Sequence, residues 1–167
     1  PKLDTPVKEL EAIDWLPFRE VLSHSRSALM VVHVTLTTVD PDRAASHSKR
    51  VIDGIIRDKW GYQGIVMTDD LVMGAIYQND VCKAVVEAIN AGVDLLLVAY
   101  DGAQFYRVFA CALDGSRKGT LDSAALRASE ARLTRGFPIE QARAASGQIH
   151  LVETSPSRID DNQARGE

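Results

Sequence analysis

Gly64-Ile65-Val66-Met67-Thr68-Asp69-Asp70 is an apolar run of strand length that stops abruptly at two carboxylates. A short, nearly continuous run of this kind reads as a strand buried on both faces. Two similar runs flank it: Ala28-Leu29-Met30-Val31-Val32-His33-Val34 upstream and Val93-Asp94-Leu95-Leu96-Leu97-Val98-Ala99-Tyr100 downstream. The segments between them have helical spacing. Val51, Ile52, Ile55 and Ile56 form one face of a helix that Ser46 or Ser48 can cap and Gly61 can end. Further helices fit residues 80–91, 102–113 and 121–134. Residues 7–24 also read as helical through Leu10, Ile13, Leu16 and Val21 or Leu22, with Pro17 expected to kink or split them.

Buried strands alternating with helices imply a parallel sheet with right-handed crossovers, and each unit here has the size of a βα repeat, about 30 residues. Three parallel strands make a poor open sheet, whereas eight such units close a barrel of about 250 residues. The expected fold is therefore α/β: the C-terminal portion of a TIM (β/α)8 barrel, about three βα units within residues 1–135. Beyond them, residues 136–167 are rich in Ser, Gln, Arg and Asp and read as a weakly packed polar tail. The opening, Pro1-Lys2-Leu3, reads like the middle of a loop, so sequence upstream of it is expected to have been removed by processing or truncation.

Apolar residues make up 46% of the 167 and charged residues 25%, enough for a sizeable core. Nineteen basic against 23 acidic residues give a net charge of −4, which supplies no electrostatic reason for nucleic acid or an anionic membrane as partner. No apolar run approaches the roughly 20 residues of a membrane helix. Cys82 and Cys111 lack zinc-site clustering and Cys-x-x-Cys spacing; they read as reduced, semi-buried thiols, and a cytoplasmic location is expected.

Parallel α/β folds place their reactive groups at the C-terminal ends of strands. Asp69 and Asp70 end the central run, His33 lies near the end of the first, and Asp101 follows the third. Adjacent strand residues point to opposite faces, so at most one of the two aspartates faces a reacting atom. The paired carboxylates of a retaining glycosidase must stand about 5–5.5 Å apart on one substrate, so a functional partner has to come from elsewhere. The residues alone leave open that both aspartates merely end the strand, and that His33 is a satisfied core residue. His24, His47 and His150 stand in polar surroundings and are expected to be exposed. Met73 follows closely enough to line a pocket beside Asp69.

The stretch Gly61 to Ala75 resembles the nucleophile segment of family 3 glycoside hydrolases, in particular the bacterial β-N-acetylhexosaminidase branch. There the pattern is Gly-Phe-x-Gly-x-Val-x-Ser-Asp-Asp-Leu-x-Met-x-Ala; Tyr62 and Thr68 are mild replacements. Glu9–Arg19, Met30–Val34, Asp40–Ser48 and Ala88–Val98 are similar to other family segments in the right order, although the loop at Asp40–Ser48 lacks its second proline. The resemblance implies a retaining glycosidase releasing terminal β-linked N-acetylglucosamine, with Asp69 as nucleophile and His33 and Asp70 supporting the site. It requires no metal and no organic cofactor. It also implies that the acid/base loop, an Asp-x-His following Lys-His-Phe-Pro-Gly-His-Gly, and the first five strands lie upstream of Pro1. The chain alone is then inactive and its expected partner is the missing N-terminal half of the barrel. Two other readings compete: a receiver-like phosphoacceptor domain, which would place the acidic pair on its first strand, and a non-catalytic sugar-binding remnant.

Overall fold

The computed structural model describes residues 1–72, 80–99 and 102–136. The expected tail falls outside them except for its first residue, Gly136, which closes the last helix.

The chain begins with β1 (Lys2–Leu3), then α1 (Val7–Glu9), which continues in a wider winding through Leu10–Asp14, and α2 (Leu16–His24). Pro17 sits in the first turn of α2, where its missing N–H costs nothing, so it splits the 7–24 stretch, the second of the two expected outcomes, by starting a new helix. β2 (Leu29–Val31), β3 (Thr35–Leu36), α3 (Arg50–Lys59), β4 (Val66–Thr68), α4 (Val81–Asn90), α5 (Gly102–Arg117) and α6 (Ser123–Gly136) follow. β2 pairs with β4 in parallel, with Leu29, Met30 and Val31 opposite Val66, Met67 and Thr68. β1 and β3 form a second parallel pair, Lys2 with Thr35 and Leu3 with Leu36, where a loop was expected.

The third expected strand is only partly formed. It touches β4 through one parallel bridge, Met67 with Leu95. Side chains explain the shortfall: the Leu97 N–H donates to Thr68 Oγ1 at 3.0 Å and the Ala99 N–H to Asp70 Oδ1 at 3.1 Å. Hydroxyl and carboxylate thus take donors that would otherwise continue the ladder.

Nor is β2 buried on both faces. Val31 and His33 are buried, but Met30 and Val32 on the opposite face are about half exposed, at 45% and 48%. Register and alternation put Met67 on that same open face. The helices cover the other face, where Val31, Val66, Val51, Ile52 and Ile56 share one core cluster. In α3 the winding is wider than an α-helix, the Trp60 N–H reaching back five residues to the Ile55 carbonyl. Ile55 is therefore only half buried, while Arg57 takes a place on the buried side that a regular helix pattern did not predict.

Two glycines fix the path from α3 into β4. Gly61 takes φ +64°, the left-handed terminal conformation. At Gly64 a Cβ would run into the Tyr62 ring, which is buried with its Oη donating to the Ser27 carbonyl at 2.5 Å.

Below the strand starts lies a buried ion cluster. Arg57 Nη2 donates to Asp94 Oδ2 at 2.8 Å and Arg132 Nε donates to Asp94 Oδ1 at 2.9 Å. The Val66 N–H adds a bond to Oδ2 at 2.9 Å, and the Asp94 side chain has no exposed surface. Arg57 also donates to the carbonyls of Tyr62, Gly64 and Gly92, which compensate the excess positive charge. Burial, then the neighbouring Arg132, pull the Arg57 pKa below its ordinary value, against the opposing pull of Asp94.

The expectation of reduced thiols is corrected: Cys82 and Cys111 form a disulfide, with Cα atoms 4.8 Å apart, joining the first turn of α4 to α5. Both cysteines lie on packed helices, and proximity in the fold rather than spacing in the chain brings them together. Disulfides persist mainly in oxidising compartments, so the bond removes the ground on which a cytoplasmic location was expected.

Asp94→Ala strands two buried guanidinium groups, and the denaturation midpoint of the variant is expected to reflect a loss of about 3–5 kcal/mol. Reducing the disulfide, which closes a separation of 29 residues, is expected to lower stability by about 2–4 kcal/mol. Parallel urea titrations with and without a dithiol measure the second effect.

Candidate functional site

Parallel strands aim their last residues at one edge of the sheet, and three of the polar groups singled out in the sequence, His33, Asp69 and Asp70, meet at that edge. Asp69 follows β4 directly, its N–H donating to the Val31 carbonyl at 3.1 Å, so the end of β2 holds its backbone. Alternation continues Met67's open face to Asp69, whose side chain is half buried. Asp69 Oδ1 accepts the Asp70 N–H at 2.8 Å.

Asp70 is engaged differently. Its Oδ1 accepts the Val72 N–H and the Ala99 N–H, both at 3.1 Å, so it ties the turn after β4 to the end of the neighbouring segment. Its carbonyl oxygen accepts from His33 Nε2 at 2.9 Å. His33 is 92% removed from solvent, and its other ring nitrogen, Nδ1, lies 2.6 Å from Ser46 Oγ. The histidine is thus both a satisfied buried residue and a brace for the aspartate turn.

Met73 and Asp101 lie outside the described residues. The residues that the sequence did not single out for the site are Ser46 and His47. Ser46 had appeared only as a helix-cap candidate; Ser48 takes that role, accepting the Val51 N–H at 3.3 Å and donating to Asp40 Oδ2 at 2.7 Å. Ser46 is fully buried and turned to His33 instead. His47, expected to be exposed, is half buried, with Nδ1 3.3 Å from Ser46 Oγ. Burial is the main cause of its lowered pKa; Glu87 opposes the shift, His33 and Arg43 add to it, and Asp40 opposes it. The sequence did hold a signal, a serine–histidine–serine cluster just before a helix, but nothing in it indicated which strand end the cluster would meet.

This geometry offers a half-buried carboxylate on an open apolar face, held by backbone at a strand end and braced by a buried histidine. Such a group suits nucleophilic or electrostatic work on a neutral ligand. Among the described residues no group of three or more His, Cys, Asp or Glu side chains is placed to hold a metal ion.

The sequence pattern of the glycosyl hydrolase family 3 N terminal domain matches residues 1–135. The beta-hexosaminidase of Stenotrophomonas maltophilia strain R551-3 is 32% identical over 149 residues, covering 87% of this chain and 43% of that protein. The beta-hexosaminidase of Tolumonas auensis is 37% identical over 98 residues, 58% of this chain and 29% of that protein. Among solved structures, the family 3 beta-N-acetylglucosaminidase of Paenibacillus sp. str. FPU-7 superposes with a TM-score of 0.80 at 28% identity, covering 96% of this chain and 31% of that one. The beta-N-acetylglucosaminidase of Thermotoga maritima gives 0.78 at 26% identity, over 83% of this chain and 31% of that one. The chain spans less than half the length of each of these proteins. Over residues 1–135, an α/β chain with parallel strand pairs and a carboxylate at a strand end, the protein belongs to glycosyl hydrolase family 3.

Proposed function

We propose that this chain supplies the nucleophile portion of a retaining β-N-acetylhexosaminidase, with Asp69 attacking the anomeric carbon of a terminal β-linked N-acetylglucosamine. The observation that carries the reading is the position of Asp69: at the C-terminal end of a parallel strand, on the face that none of the described helices covers, with its carboxylate accepting the Asp70 N–H. The names of the related proteins support the substrate class.

In this reading the carboxylate forms a glycosyl–enzyme intermediate as the glycosidic bond breaks. An upstream histidine protonates the departing oxygen, then takes a proton from the water that releases the sugar. Asp69 attacks as the carboxylate, and its Oδ1 accepts the Asp70 N–H. His33 and Asp70 hold the turn. No cofactor enters the chemistry.

The exposed Met30 and Val32, with Met67 beside them, favour a barrel interior waiting for its remaining strands. The companion is the N-terminal half of the barrel, which carries the acid/base. The chain without it is inactive. The leaving group is a muropeptide or a chitin oligomer.

The test is hydrolysis of a chromogenic β-N-acetylglucosaminide by this chain alone and joined to the N-terminal segment of the Stenotrophomonas maltophilia relative. Background rates from the chain alone are expected, with turnover appearing on joining. Asp69→Ala should then lower kcat by at least about 1000-fold. A joined, folded protein whose activity survives that substitution would sink the assignment.

A further inference from the structure

Two imidazoles, one hydroxyl and one peptide group are strung together behind the aspartate turn: His47 Nδ1 to Ser46 Oγ at 3.3 Å, Ser46 Oγ to His33 Nδ1 at 2.6 Å, and His33 Nε2 to the Asp70 carbonyl at 2.9 Å. The last link fixes the direction of the others. A carbonyl oxygen only accepts, so His33 Nε2 carries a proton. A neutral His33 then has a bare Nδ1, which must accept the Ser46 hydroxyl proton. With that proton committed, the Ser46 oxygen faces His47 as an acceptor, and His47 must carry its proton on Nδ1.

We propose that Ser46 and His47 act through His33 as positioning residues for Asp69, in one directed hydrogen-bond chain running His47 to Ser46 to His33 to the Asp70 backbone. Residue 70 passes the constraint forward, since its own N–H donates to Asp69 Oδ1 at 2.8 Å. Its carboxylate is held independently by the N–H groups of Val72 and Ala99. Residue 70, next to the nucleophile, is thereby fixed from two directions, through its carbonyl and through its carboxylate. A reactive group loses rate steeply when its support is loose by a fraction of an ångström.

Burial makes the chain demanding. Ser46 has no exposed surface and His33 little, so any reversed link would leave a donor or acceptor unsatisfied away from water. A bare Nδ1 on His47 would require the hydroxyl to turn round and Nδ1 of His33 to present no lone pair to it, so the two ring tautomers are tied together through Ser46. The groups facing His47 are Glu87, His33, Arg43 and Asp40, and Arg43 pairs with Glu87 at 3.1 Å. Backbone anchors the segment as well: the Ala45 N–H donates to the Val34 carbonyl at 2.8 Å, just beyond His33.

The part of this inference that concerns catalysis rests on Asp69 being the nucleophile, so the experiment reads the chain and the reaction separately. Long-range proton–nitrogen correlation spectra of this chain at neutral pH are expected to show His33 as the Nε2–H form and His47 as the Nδ1–H form. Neutral histidine in water favours Nε2–H, so the His47 result is diagnostic. Ser46→Ala should return His47 to the Nε2–H form, with the backbone amide spectrum otherwise preserved. In the joined enzyme the same substitution should lower kcat about fivefold with KM unchanged, the scale of one lost hydrogen bond. His47 already in the Nε2–H form in the parent chain would overturn the proposal, as would a kcat untouched by Ser46→Ala. Full activity in Asp69→Ala would instead overturn the nucleophile reading, and with it the catalytic role of the chain, whatever the tautomers.

Discussion

A single buried carboxylate holds the ends of this structure together. Asp94 stands where the third strand-like segment begins and accepts from Arg57 of α3, Arg132 of α6 and the N–H that opens β4. Two cations against one anion would be unfavourable in a buried place, but the carbonyls of Tyr62, Gly64 and Gly92 accept from the terminal nitrogens of Arg57, leaving its Nε a buried donor without an acceptor among the described residues. The arrangement decides geometry more than it adds energy. Replacing such a cluster by well-packed apolar groups is often neutral, whereas removing one member is severe. Its value here is registry: it sets α3 and α6 against the same strand start, and β4 leaves that point with its direction fixed.

The two ends of β4 are thus built on different principles. At its start, charge is buried, paired and closed to water. At its end, Asp69 is half buried and, among the described residues, bonded to the backbone of Val31 and Asp70. A rigid base leaves the far end free to carry polar side chains whose arrangement suits a ligand rather than the core, the division of labour expected when sites sit at the C-terminal ends of parallel strands. Asp70 and His33 lie at the boundary, each bonding to the protein on two sides while standing next to Asp69, whose carboxylate accepts the Asp70 N–H.

The parts legible in the sequence were those whose signal is local. Helices over 80–91, 102–113 and 121–134 were readable from spacing and emerged within a few residues as α4, α5 and α6. The strand at Gly64–Asp70 and the turn at Gly61 were readable from an apolar run and a glycine. What escaped depended on meetings between distant segments. The Cys82–Cys111 bond needs two helices packed side by side, and nothing in the spacing of the cysteines announces that. Asp94 looked like an interruption of an apolar strand until Arg57 and Arg132 arrived from 37 and 38 residues away. The wide winding of α3, which brings Arg57 inward, has no signature in a hydrophobic pattern read at a fixed period.

The incomplete third strand joins these observations. A sheet edge is ordinarily satisfied by another backbone, but here Thr68 and Asp70 supply side-chain oxygens to Leu97 and Ala99. The same two residues flank Asp69, so the groups that interrupt the ladder are also those that shape the turn around it. A strand paired to its end would leave the Asp70 carboxylate without the Ala99 N–H, with the Val72 N–H still on Oδ1. The interrupted ladder therefore trades a few backbone bonds for a fixed second carboxylate. In the proposed reading, that fixed second carboxylate stands beside the nucleophile. The proposed role of Asp69 gives the irregularity a reason that packing alone does not.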